Sequence, residues 1–125
     1  MITFSNLLVL FIGGGFGTIC RWLIHIWLSR PGELFPVATL IANVISSLLI
    51  GFLIAYFLRH NNDLLRLLFI TGYCGGFSTF STFSMENYQL MVDGRWMMLA
   101  IYISVSVLLC VFSVMAGMRI GDALS

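Results

Sequence analysis

The sequence contains no lysine, and charged residues of any kind fill only 9% of its 125 positions. A soluble domain carries roughly a quarter. With 60% hydrophobic residues and a mean hydropathy of +1.04, the chain has too little polar surface to cover its apolar bulk in water. Lipid is therefore the expected solvent. The six cations are all arginine, spread singly along the chain, and five acids leave a net charge of +1. No basic patch exists to neutralise phosphates, which excludes a nucleic-acid partner. Histidine is as sparse: His25 and His60 are the only two. No apolar segment carries paired carboxylates, and no serine has the glycine context of a nucleophile elbow. Catalysis is not expected. The three cysteines, Cys20, Cys74 and Cys110, are odd in number and lack metal-ligand spacing, so they read as small apolar filler. There is no repeat and no low-complexity tract.

What the chain does have is long apolar runs. Four segments, about Phe4–Leu28, Pro36–Leu58, Leu64–Met91 and Trp96–Ile120, each meet the requirement of roughly 20 largely apolar residues for a bilayer crossing. In lipid they must be helices, because a barrel needs alternating strands and many more turns. The expected fold is a single all-α domain over residues 1–125 with four transmembrane helices. The first segment lacks a basic n-region and is too long for a cleavable signal peptide. Pro31, Gly32 and Pro36 punctuate the first connection, Asn61, Asn62 and Asp63 the second, and Asp93 and Gly94 the third. Four crossings place Arg59, Arg66 and Arg119 on one side and Arg30 and Arg95 on the other. That bias is feeble under the positive-inside rule. Such a chain can insert either way up, which opens the way to an antiparallel dimer of opposite topologies.

Polar residues inside spans are candidates for function. Arg21 lies deep in the first span and reads equally as a bridge to carbonyls that holds helices together. His25 sits one turn on, near the span's end. Asn43 lies near the middle of the second span with Thr39 one turn earlier, and suits either an interhelical hydrogen bond or a polar lining. Tyr102, Ser106 and Cys110 form an i, i+4, i+8 stripe on the fourth. Gly13 and Gly17 form a small-xxx-small pair suited to close helix packing.

The third segment holds the most unusual stretch, "GYCGGFSTFSTFSMEN" (residues 72–87). Gly72, Gly75 and Gly76 each disfavour helix by about 1 kcal/mol. They are expected to break the segment at its middle, and the freed carbonyls of a broken helix favour a cation. Beyond them Phe80 and Phe83 share a helix face, with Thr79 and Thr82, and Ser81 and Ser84, in neighbouring stripes and Glu86 a turn further. A phenyl ring has a negative face and a positive edge. Ring edges can meet a small anion whose water is partly replaced by hydroxyls.

These residues, together with "TLIANVISSLLIG" (39–51), "GGGFGTICRW" (13–22) and the Tyr102–Ser106 stripe, resemble the CrcB-type (Fluc) fluoride channels of microbes across nearly the whole chain. The resemblance implies a dual-topology antiparallel homodimer with two pores in the inner membrane of a bacterium, exporting fluoride passively. It implies a structural sodium ion held by the backbone carbonyls of Gly75 and Ser78. Asn43, Phe80 and Phe83 match the family's pore asparagine and phenylalanines, and Ser81, Thr82, Tyr102 and Ser106 its polar lining. Cys110 stands where a hydroxyl is expected. The competing class is a small multidrug-type, proton-coupled cation exporter, also a four-helix dual-topology dimer. It needs a carboxylate deep in the first helix, and here that helix has none.

Overall fold

The computed structural model describes residues 2–125, and these are helical almost throughout. Helix α1 (Phe4–Leu28) starts at Thr3, whose hydroxyl accepts the Asn6 N–H at 3.2 Å. Helix α2 (Val37–Arg59) follows Pro36, whose fixed φ and missing N–H suit a helix start. The third segment begins with α3 (Asp63–Arg66), capped by Asn62, and widens into a π-helix over Leu67–Cys74. It regains one α-turn in α4 (Gly75–Phe77) and stops. Ser78 and Thr79 are extended, and α5 (Phe80–Val92) then starts afresh. Asp93 and Gly94 turn the chain, with Gly94 at φ 71° where a side chain would be strained, into α6 (Trp96–Leu124).

Helices α1, α2 and α6 are each long and apolar enough to cross a membrane. The third segment is helical on both sides of its break, with neither piece that long. The pairing is not sequential. Helix α1 packs on the π-helix and α4, while α2 packs on α6. Both seams rest on missing Cβ atoms. One added at Gly17 would strike the Tyr73 carbonyl, and one at Gly13 the Leu68 carbonyl. Across the other seam, a Cβ at Gly117 would strike the Leu48 carbonyl and one at Gly51 the Val114 carbonyl. Small residues therefore let backbones approach closely where lipid supplies no hydrophobic drive.

The expected interruption of the third segment is present, but two residues later than the glycines. Gly72 lies in the π-helix and Gly75 and Gly76 in α4. Gly72 and Gly76 instead make room for α1: a Cβ at Gly76 would strike the Gly14 carbonyl. The interior is thin, built from small residues such as Ala38, Ala42 and Ala55 around Phe57, Phe77 and Tyr102. Large apolar side chains, including Phe11, Phe16, Trp22, Val111 and Phe112, face outward. A face of that kind suits lipid and no aqueous boundary.

Candidate functional site at the helix break

A broken helix must find partners for backbone groups that lipid cannot satisfy. Cys74's carbonyl receives the Ser78 N–H and the Ser78 hydroxyl, both at 3.0 Å, and the Ser46 hydroxyl of α2 at 3.3 Å. The Asn43 amide pairs with Thr79 in both directions. Its Oδ1 accepts the Thr79 N–H at 2.9 Å and its Nδ2 donates to the Thr79 carbonyl at 3.2 Å. The Thr79 hydroxyl caps α5, accepting the Thr82 N–H at 3.2 Å and donating to the Thr82 hydroxyl at 3.0 Å. From α1, the Thr18 hydroxyl donates to the Gly76 carbonyl at 3.4 Å and Arg21 to the Ser78 carbonyl at 3.5 Å. Arg21 thus reaches one carbonyl of the break, that of Ser78.

Beside the break lies a cleft of about 260 Å³, open on one side, lined by Asn43, Ser47, Ser78, Thr79, Phe80, Phe83, Ser106, Val107 and Cys110. The rings of Phe80 and Phe83 are 5.8 Å apart and tilted at 41°. Phe80 is 79% exposed, so its ring forms an uncovered wall. Ser106 is only 5% exposed, and its hydroxyl oxygen is buried without a hydrogen-bond partner among the described residues. An unpartnered buried hydroxyl is costly unless something else occupies it. The Ser106 hydroxyl does not bond its own helix backbone either.

Phe83 also leans on Tyr102, ring to ring at 5.1 Å. Tyr102 is fully buried, and its hydroxyl donates to Glu86 Oε2 at 2.7 Å while the Thr39 hydroxyl donates to Glu86 Oε1 at 2.6 Å. Three helices are thereby joined through one acid.

The residues expected from the sequence divide. Asn43, Phe80, Phe83 and Ser106 share the cleft, and Cys110 joins them. Thr82 lines instead a larger cleft of about 520 Å³ with Thr18, Arg21, His25 and Thr39. Ser81 is exposed, with its hydroxyl 3.4 Å from that of Thr79. Tyr102 stands behind Phe83 on Glu86. Thr18, Ser46 and Ser47 carry polar contacts or lining that the sequence did not single out, although each is a hydroxyl inside an apolar run. Among the described residues no group of three His, Cys, Asp or Glu side chains could hold a metal ion.

A family model described as CrcB-like protein, Camphor Resistance (CrcB), matches residues 8–118. The chain belongs to the CrcB family. A relative from a Nitratiruptor species, named fluoride-specific ion channel FluC, is 41% identical over 117 residues, covering 93% of this chain and 91% of its own. A FluC from Phocaeicola vulgatus is 41% identical over 120 residues, covering 94% and 99%. Fluoride-specific ion channel FluC 1 of Yersinia pestis is 44% identical over 94 residues, 74% of each chain. With its long apolar helices, this CrcB-family chain is a multi-pass membrane protein.

Proposed function

We propose that this chain is a fluoride-selective channel that lets fluoride leave a bacterial cytoplasm passively and so lowers its toxicity. Fluoride enters acidified cells as neutral HF, dissociates and is trapped, so a pore suffices to release it. The observation that carries the reading is a cleft lined by Phe80, Phe83, Asn43 and Ser106, whose buried hydroxyl has no partner among the described residues, in a chain whose relatives are named fluoride-specific channels. A hydroxyl donor and ring edges replace part of the water of a small anion, and chloride, being larger, fits a narrow path poorly. Tyr102 positions Phe83, while Thr82 and Ser81 stand outside this cleft, Thr82 on the larger neighbouring one and Ser81 exposed. Proton-coupled export of the small multidrug type is the weaker reading, because the first helix carries no carboxylate.

The working unit we propose is an antiparallel homodimer of dual topology in the inner membrane. The exposed Phe80 ring and the open side of the cleft leave a wall for a second copy to supply. The broken third segment makes the fourth crossing. A structural sodium ion fits the break. Thr79's N–H, which would close the next helical turn on the Gly75 carbonyl, goes to Asn43, and Ser78's carbonyl retains a lone pair beside its long contact with Arg21. When bound, sodium would neutralise these carbonyl ends and tie the break together.

The test is fluoride release from liposomes containing the purified protein, read with a fluoride electrode. Rapid release of fluoride without chloride is expected, independent of any proton gradient. Release of organic cations driven by a proton gradient, with no fluoride release, would overturn the channel in favour of an exporter. Inert liposomes with correctly assembled protein would overturn both.

A further inference from the structure

We infer that Asn43 is a positioning residue for the central cation as well as part of the cleft wall. By accepting the Thr79 N–H it removes the helical donor from the Gly75 carbonyl and leaves that oxygen available for sodium. This rests on the proposed sodium site.

Three observations carry it. In a continuous helix the N–H of residue 79 would bond the carbonyl of residue 75. The preceding turn does close in that way, with the Ser78 N–H on the Cys74 carbonyl at 3.0 Å. At Thr79 the pattern stops, and the N–H lies 2.9 Å from Asn43 Oδ1, a residue of α2. The same amide returns a bond to the Thr79 carbonyl, so it holds Thr79 extended through both backbone groups. Gly75 itself is exposed, and a Cβ placed on it would meet nothing within 4 Å, so the last turn before the break faces open space. An unpaired N–H is strongly disfavoured in lipid. Without an acceptor at position 43, the nearest remedy for Thr79 is to rebuild the helical bond, which would occupy the Gly75 oxygen. Asn43 also lines the cleft, so one side chain joins the anion path to the cation site.

Equilibrium dialysis of radioactive sodium against the purified dimer tests this, with gel filtration as the measure of assembly. Asn43→Leu has no acceptor and should bind sodium weaker by about tenfold or more, the range typical for loss of a residue that orients a metal ligand. Asn43→Asp keeps the acceptor, though not the donor to the Thr79 carbonyl, and should stay short of that roughly tenfold loss. Wild-type affinity in an assembled Asn43→Leu dimer would overturn the inference alone, and a wild-type protein that binds no sodium would overturn the cation site with it. Should Asn43→Leu fail to assemble, Asn43→Asp decides: sodium retained supports the positioning role, and loss of sodium or of assembly overturns it.

Discussion

At the scale of single residues, Phe80 and Phe83 separate two properties that usually travel together. A phenyl ring fills space, and it also presents a positive edge. Ile is close in bulk and lacks the edge. If the rings serve packing alone, Phe80→Ile and Phe83→Ile should assemble and conduct. Within one chain Phe80 is uncovered and borders the open cleft, so its ring is no part of that chain's own core. We therefore expect both variants to elute as dimers yet lose fluoride efflux by about tenfold or more, the effect of raising a barrier by ~1.4 kcal/mol. Near-normal efflux from both would return the two rings to the hydrophobic core. Much of this site was legible as chemistry in the wrong solvent: an asparagine, a serine and a row of hydroxyls inside apolar helices. The bond of Glu86 to Thr39 and Tyr102 was not legible, because its members lie 47 and 16 residues from the acid and only the packing of three helices brings them together.

At the scale of elements, the break shows how tertiary partners override propensity. Glycine's low helix propensity places the interruption at residues 72–76, yet those glycines stay helical and serve the approach of α1. The chain leaves the helix where side chains outcompete the ladder: Ser78 on Cys74, Asn43 on Thr79, Thr79 on Thr82. Two of these are local and readable from "FSTFST". The decisive one comes from a helix 36 residues earlier. The Gly13 and Gly17 seam follows its spacing, and Gly117 and Gly121 carry the same spacing on α6 without a neighbouring motif to mark them. A bulky substitution in either seam must push two backbones apart. Gly117→Leu, driven against the Leu48 carbonyl, should destabilise by about 1–3 kcal/mol or more. The measure is a lower thermal midpoint of the detergent-solubilised protein, with Gly15→Leu, which meets nothing within 4 Å, as the neutral control.

At the scale of the whole molecule, sidedness is the open variable. Three arginines against two provide almost no bias, so reporters fused at the C-terminus should read on both sides of the membrane in comparable amounts. A strongly one-sided result would remove the antiparallel dimer. The order of pairing has a separate bearing, on biosynthesis. Because α1 packs on the third segment and α2 on α6, the partnerships are interleaved along the chain. As the nascent polypeptide leaves the ribosome, the first hairpin to enter the translocon contains two helices that are not each other's main partners. Helix α1 waits for residues 67–77, and α2 waits for the last helix of all. A chain truncated after Gly94 should therefore insert but be cleared rapidly by proteolysis in a pulse-chase experiment, because α2 exposes its small-residue seam until α6 is made.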